Sequence, residues 1–591
     1  MTDTAFRVCI VHLDRDKGEI ISFGDKNVHI GGSGLAAALY EKFGLPEEPW
    51  SHPDQPLIFA IGCLTGYFPL MSKVVCGFKS PHHDQYSESH AGGRLALAMR
   101  FAGYDAIVVR GQATVPVAVH VASKQIETAD ANYLWGANAL TTGRVMRRAF
   151  PGASGHRSII RIGPAGETLS AYACINVDTY RHFGRMGAGS VMGVKKVKAI
   201  VVSGDGDQDL PGTDSKAYAK LFKRVYKDMT ATEMMSKYHD LGTPGNVTPL
   251  NELKSLPIRN LKQTTDPEVE KISGEAFAKD LLIRNTACAG CPVGCIHVGL
   301  LREQFQEEHR FQIRQVAYDY ELIFGLGSMI GVMDASGCLA LMDEVEKEGL
   351  DAMSTGVALA WATEAYEKSL LTKEQVEYDL AFGNVAAYKE AIWSLGHAKN
   401  EFYADLAKGV KHAAAKYGGE DFACVLGQEM AGYVGETFYA SQSLSFRHSH
   451  LDTGAYGYDQ KEHAKDPEKA VKYLVDDERE RVLLTSLVSC LFARGVYKKE
   501  LLAECLEAVG LSELAGNMDQ AADAMQRLRW KVRLSTGYEP EKTTVPKRCM
   551  EVETWAGKMN PGYMNAVRQG YIKAIRELGK EEPKPAPESD S

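Results

Sequence analysis

Three cysteines, Cys288, Cys291 and Cys295, fall within Cys-Ala-Gly-Cys-Pro-Val-Gly-Cys, and a fourth, Cys490, follows far downstream in Ser-Leu-Val-Ser-Cys-Leu-Phe. If the four hold one group, distant parts of the chain must fold back to meet there. Gly290, Pro292 and Gly294 break any regular element, so the run reads as a loop wrapped round an object with its backbone N–H groups free to point at it. The spacing suits a [4Fe-4S] cluster, an electron relay. Structural zinc is the alternative, but zinc knuckles usually pair one Cys-x-x-Cys with a second close spacing, and none occurs here. Chance clustering is the third reading. The other eight cysteines are scattered without ligand spacing and read as small buried apolar side chains.

At 591 residues the chain exceeds what one hydrophobic core supports, so about three domains are expected. A formal net charge of −9 leaves no basic stripe to neutralise phosphates, which argues against nucleic acid. The N-terminal Met-Thr-Asp-Thr-Ala-Phe-Arg lacks a charged segment followed by an apolar one, and no run reaches the apolar length of a membrane span. A cytoplasmic location is expected, where 12 cysteines would be thiols or ligands and not disulfides.

Up to residue 208 the chain is glycine-rich and β-patterned. Val115, Val117, Val119 and Val121 alternate as in a half-buried strand, while Ala106-Ile-Val-Val and Lys198-Ala-Ile-Val-Val read as central strands. Beyond the polar Gly204-Asp-Gly-Asp-Gln-Asp linker the period becomes helical, over Ser215 to Met229, Asp334 to Gly349, Gly356 to Lys368, Val410 to Tyr417 and Ala521 to Leu534. The expected fold is α+β, with a β-rich domain at 1–208, helical domains at 209–422 and 423–580, and a disordered tail at 581–591. A helix carrying Cys490 is expected to dock against the 288–295 loop.

The segment from Gly184 to Val202 has the glycine density of a dinucleotide fingerprint, but such a fingerprint needs a helix after its glycines, and here the pattern passes to a strand. A nucleotide fold is therefore not expected. The glycines instead permit close backbone approach to a phosphate, with Arg185 supplying a forked donor.

Together these segments resemble the aldehyde:ferredoxin oxidoreductase family, tungsten enzymes with two pyranopterins. The resemblance rests on Phe101-Ala-Gly-Tyr-Asp-Ala-Ile-Val-Val, Ile162-Gly-Pro-Ala-Gly-Glu, the Gly184 to Val202 segment, the cysteine quartet, Glu348-Gly-Leu-Asp-Ala-Met-Ser-Thr-Gly and Pro546-Lys-Arg. It implies a β-rich base for the cofactor, capped by two mostly α-helical domains. It also implies a [4Fe-4S] cluster, a tungsten or molybdenum bis-pyranopterin whose metal is held by the pterin dithiolenes, and Mg2+ bridging the pterin phosphates.

Carried over residue by residue, Arg185 and Gly187 fall in the phosphate-contacting segment. Glu346, Gly349, Leu350 and Asp351 match one pterin motif, with Glu346 replacing its leading aspartate. Asp351 should accept hydrogen bonds from pterin N–H groups, its alternative role being a helix cap. Thr485 replaces the aspartate of the second motif, and a hydroxyl cannot chelate two N–H groups. Lys73 replaces an arginine between cluster and pterin, keeping the charge but losing the fork. His90, ahead of Gly92 and Gly93, replaces an asparagine that helps hold magnesium. Ala340 replaces a glutamate that binds a dimer-bridging iron, so that site is expected to be missing.

Glu321, in Tyr318-Asp-Tyr-Glu-Leu, and His448, in Phe446-Arg-His-Ser-His, match the family's active site. A carboxylate beside the metal can take the proton released as a hydrated aldehyde is oxidised, and a histidine can polarise the substrate. From residue type alone each is more often a salt-bridged acid or a packed histidine. In a strand, His450 would share a face with His448. The implied activity is oxidation of aldehydes to carboxylic acids, with electrons leaving through the cluster to ferredoxin or a small ferredoxin-like subunit, in a homo- or hetero-oligomer. A second reading is a reductive relative acting on an aromatic acyl-CoA, like the catalytic subunit of benzoyl-CoA reductase, with Cys338 as a candidate metal ligand. A third is an electron carrier holding the cluster alone.

Overall fold

The computed structural model describes residues 4–15, 17–152, 156–208, 214–306, 310–462 and 464–580. The expected tail at 581–591, and the end of the expected linker, lie outside the described residues.

Residues 6–203 form two six-stranded sheets. In the first, the strands run in the order Lys17–Phe23, Phe6–His12, Ala106–Arg110, Leu57–Ala60, Val74–Ser80 and Gln85–Ala91. Phe6–His12 pairs parallel with Ala106–Arg110, and the other pairings of this sheet are antiparallel. The second sheet runs Arg181–Phe183, Ile175–Val177, Arg157–Arg161, Val197–Ser203, Val117–Ala122 and Ile126–Asp130.

The side-chain period of two sorts the first sheet's residues onto two cores. Ile58, Ala60, Ala106 and Val108 pack with Leu35 and Leu39 of the Gly32–Phe43 helix, whereas Leu57, Phe59, Ile107 and Val109 pack with Val119, Val121, Ile160 and Ile200 of the second sheet. Central strands covered on both faces are apolar throughout, which is why Ala106-Ile-Val-Val reads as it does. The alternating valines form a strand only from Val117, while Val115 lies ahead of it and is exposed.

Helices dominate after residue 214, at Ser215–Thr230, Ala335–Glu348, Ala352–Glu367, Val410–Tyr417 and Met518–Ser535, among others. This half is not purely helical: Leu282–Thr286, Ile296–Gln306 and Arg310–Tyr318 form an antiparallel three-stranded sheet. The three-cysteine run is the connection between its first two strands. After the Gly184 segment, a seven-residue helix, Ala188–Val194, precedes the expected strand at Val197–Ser203. No single described helix is long and apolar enough to cross a membrane.

The halves are joined by main-chain bonds. Leu350 bridges to Ala173, Cys174 N–H donates to Gly349 C=O (2.8 Å), and Ala171 N–H donates to Ala407 C=O (2.7 Å). Farther out, Arg548 donates to both carboxylate oxygens of Glu364 at 3.1 and 2.8 Å, and Asn260 donates to the same group at 2.8 Å. Glu364 is only 1% exposed. Burial would raise its pKa, but the Arg548 and Asn260 hydrogen bonds hold it below the usual carboxylate range. Arg548→Met would strand that charge, a loss of about 3–5 kcal/mol. We expect a clear fall in the urea unfolding midpoint; an unchanged midpoint would count against this link.

Candidate active site

The predicted convergence of the cysteines is carried by one short segment. Leu70 N–H donates to Gly290 C=O (3.0 Å), Cys490 N–H donates to Leu70 C=O (3.0 Å), and Lys73 N–H donates to Val488 C=O (3.1 Å). Cys490 is not on a helix as expected. It follows the Pro467–Ser486 helix and begins a 3-10 turn, Leu491–Gly495. In the 288–295 loop, Gly290 (φ 69°) and Gly294 (φ 68°) take the left-handed conformation that a bulkier residue resists.

All four cysteines line one cavity of about 350 Å³, together with Lys73, His90, Gly92, Arg185, Glu321 and Thr485. Gly92 is required there by space, because a Cβ at that position would stand 2.7 Å from Cys288 Sγ. Gly93 C=O accepts from Ala289 N–H (3.0 Å). These glycines therefore hold the cysteine loop.

The electrostatics are uneven. Burial opposes ionisation of Cys288, but Arg181 and Lys73 overcome it, and the thiol's pKa falls below its ordinary value. Burial pushes Cys291 up to about 12 and Cys295 up to about 11, and neighbouring cysteine thiolates add to both. Lys73 is drawn toward the charged form by Cys490 and Cys288 despite its burial. Four thiolates crowded in a low-dielectric site need a multiply positive partner. Among the described residues no three His, Cys, Asp or Glu side chains come close enough to share a single ion. A cavity lined by four cysteines, with Arg181 and Lys73 beside them, suits an iron–sulfur cluster.

Arg185 donates to Asp351 (3.0 Å), Ser354 (3.2 Å) and Glu429 C=O (2.7 Å), and its remaining terminal nitrogen is buried without a hydrogen bond. Arg181 Nε is likewise buried and unsatisfied. Two incompletely bonded guanidinium groups in one wall fit an anionic cofactor. Asp351 caps the Ala352–Glu367 helix through Met353 N–H (3.1 Å) while pairing with Arg185, so its carboxylate is already engaged.

Other expected residues stand behind the wall. Glu346 bonds His182 (2.6 Å), and it is His182 that reaches the cavity. Gly349 and Leu350 join the halves of the chain, and Gly187 (φ 81°) opens the Ala188–Val194 helix, pressed against Ala171 and Pro81. Thr485 Oγ1 lies 3.0 Å from Ser33 Oγ, which donates to Glu88 (2.8 Å), and His90 Nε2 lies 3.1 Å from the same carboxylate. Glu88 lines the cavity near Thr485, but its carboxylate is already paired with Arg529 at 2.9 and 3.3 Å.

The histidines part company. Residues 446–452 form turns and not a strand, and His448 takes a left-handed φ of 49°. Its ring packs on Gly427, where a Cβ would lie 2.0 Å away. Its nitrogens are bonded to Gln442 C=O (3.1 Å) and Arg533 (2.7 Å), and it faces a different cavity. His450 lines the cysteine cavity, with Nε2 3.2 Å from Glu321 and Nδ1 buried without a partner. Asp319, missed in the sequence, lines the same cavity, and burial together with the charge of Glu321 pushes its pKa up to about 6. Arg181 was also missed, and only its place four residues before Arg185 hinted at it. Cys338 lies in the core 3.5 Å from Val332 C=O, away from the cavity. Ala340 offers no ligand atom.

Known proteins match this arrangement. Residues 8–204 match the family model described as "Aldehyde ferredoxin oxidoreductase, N-terminal domain", and residues 220–577 match "Aldehyde ferredoxin oxidoreductase, domains 2 & 3". The chain belongs to the aldehyde ferredoxin oxidoreductase family. Within this tungsten oxidoreductase family, the tungsten-containing aldehyde ferredoxin oxidoreductase of Pyrococcus furiosus is 33% identical over 66% of this chain and 63% of its own length, so the match spans less than two thirds of that relative. The Thermococcus kodakarensis counterpart is 32% identical over 70% of this chain and 67% of its own. The P. furiosus aliphatic sulfonate oxidoreductase, WOR-like subunit, is 29% identical over 69% and 66%. The solved active site complex BamBC of benzoyl coenzyme A reductase, in complex with 1,5-dienoyl-CoA, shares the fold, with TM-score 0.77 over 97% of this chain and 95% of that one at 18% identity. The α+β architecture with its β-rich half first is thus a property of this family fold.

The Arg181 contact yields a measurable expectation. Arg181→Met removes a cation and a hydrogen bond from Cys288, so a bound cluster should become harder to reduce, by about 60 mV per 1.4 kcal/mol of lost interaction. Redox titration followed by electron paramagnetic resonance reads the midpoint, and an unshifted value would sink the assignment.

Proposed function

We propose that this oxidoreductase converts an aldehyde and water into a carboxylate, two electrons and three protons, the electrons leaving through a [4Fe-4S] cluster to ferredoxin or a partner redox subunit. The observation that carries this reading is the convergence of the Glu321–His450 pair with the four cysteines and Arg185 on one cavity. When bound, the tungsten or molybdenum bis-pyranopterin supplies the two-electron oxidation. Cys288, Cys291, Cys295 and Cys490 would hold the cluster, and Arg185, Arg181 and Lys73 would meet the cofactor's negative charge. Mg2+ between the pterin phosphates belongs to the same proposal.

Glu321 is the group placed to take a proton from the hydrated aldehyde. Its side chain is 22% exposed, open enough to pass the proton on yet walled by buried residues. His450 Nε2, 3.2 Å from Glu321, orients that carboxylate, while its Nδ1 is buried without a hydrogen-bond partner. Asp319 adds a second carboxyl beside this pair, one whose own ionisation is opposed by burial and by the charge of Glu321. His448, with both nitrogens engaged elsewhere, stays in the proposal only as a support for the 446–452 turns. The acyl-CoA reading loses its candidate thiol ligand, because Cys338 is packed in the core.

Elemental analysis of anaerobically purified protein should give about four iron atoms with tungsten or molybdenum per chain. An aldehyde panel with an artificial acceptor then tests the activity; iron alone, or no aldehyde-dependent reduction, would overturn the reading. Glu321→Gln should retain metal and cluster but lose turnover by about 10²-fold or more, the range of general base catalysis. Asp319→Asn should flatten the dependence of kcat/KM on pH around 6, since the carboxyl that protonates as pH falls through that value would be gone.

A further inference from the structure

A second cavity, of about 970 Å³, opens on the far side of the Gly427 turn. Its wall includes His82, His83, Lys411, His448, Tyr538 and Lys542, none of which the proposed reaction uses directly. The wall between the cavities is thin. His82 bonds the Glu429 carboxylate (2.9 Å), and the carbonyl of the same residue accepts from Arg185.

Arg533 stands behind this wall, bonded to His448 and stacked over Tyr538 at 4.2 Å from its ring centroid. It is 0% exposed, and its described hydrogen-bond partners, His448 and Gln85, are both uncharged acceptors here. Asp452 is the acid whose charge reaches it most strongly, and that carboxylate is already bonded to Arg447 at 2.6 Å. Arg533 Nε and one terminal nitrogen are buried without a hydrogen bond, as are both ring nitrogens of His83.

Lys411, at the rim, is exposed with no carboxylate partner among the described residues; nearby, Asp405 pairs with Lys408 and His412 and shares Lys416 with Glu401, and the cavity wall also holds Glu420 and the paired Lys542 and Glu539. A buried guanidinium without a counter-charge is costly, and unsatisfied buried donors are rare in folded proteins. Arg533 stands behind the wall that His83 and Lys411 line, so an anion in the cavity would give Arg533 a counter-charge through space and His83 a hydrogen-bond partner.

We propose that this cavity binds a small organic oxyanion, a carboxylate or a phosphate, with Lys411 meeting its charge at the rim, His83 donating a hydrogen bond from the wall and Arg533 adding its charge from behind it. The positive field comes from Lys411 and Arg533, far apart in sequence, while His83, kept neutral by burial, offers a donor; none of the three depends on the cofactor being loaded.

Titration calorimetry on the full-length, anaerobically purified protein tests the site, with inorganic phosphate and malonate as probes and neutral malonamide as control. At least one anion should bind saturably and malonamide should not, and whichever anion binds more tightly assigns the phosphate or the carboxylate class. Lys411→Gln should weaken Kd about ten-fold or more, with His83→Gln acting in the same direction. Lys472→Gln, an exposed lysine remote from the cavity, should leave Kd unchanged. The proposal falls if neither anion binds, if malonamide binds as well as they do, or if both cavity substitutions leave the affinity intact. Because the readout is binding and not turnover, this failure is separable from failure of the aldehyde reading.

Discussion

Three segments of this chain are tied through Leu70, whose N–H reaches the cysteine loop and whose C=O receives the N–H of Cys490. Leu70 (φ 61°) and Val488 (φ 54°) both take a left-handed conformation that costs a non-glycine residue about 1–2 kcal/mol. The structure tolerates that cost because the backbone around each is held by bonds to another segment. Without the clasp the four thiols would be two unrelated groups, and the cavity between the β-rich base and the helices would lose its floor.

The charge pattern of that cavity follows from the clasp. Burial opposes ionisation of Cys291 and Cys295, whereas Cys288, beside Arg181 and Lys73, is tilted toward thiolate by the protein itself. Arg181 adds a guanidinium beside Lys73, whereas the Glu88 carboxylate near Thr485 is already bonded to Arg529, His90 and Ser33. The charges of the wall are thus distributed over segments far apart in the chain.

That distribution explains what the sequence allowed and what it hid. The cysteine quartet, the central strands and the long helices were legible because each depends on a local pattern: fixed spacing, apolar runs covered on both faces, or a 3.6-residue period. The three-stranded sheet around the cysteine loop was not, since its strands are partly exposed and carry no clean alternation. Glu321 was legible by its motif, but its partner was not. Choosing between His448 and His450 depended on whether residues 446–452 were extended, and a left-handed turn leaves no mark in residue types. Arg181, Asp319 and Glu88 depend on contacts between distant segments, which no local pattern encodes.

The kink at His448 makes neighbouring residues serve separate chambers: Arg447, Ser449 and His450 look one way, His448 the other. Which imidazole meets which compartment is thus a matter of phase along the backbone, not of composition. Losing or gaining one amino acid ahead of this bend would bring Ser449 or Arg447 to the left-handed position and turn both imidazoles toward the cysteine cavity. Length in this stretch is accordingly under tighter restraint than identity.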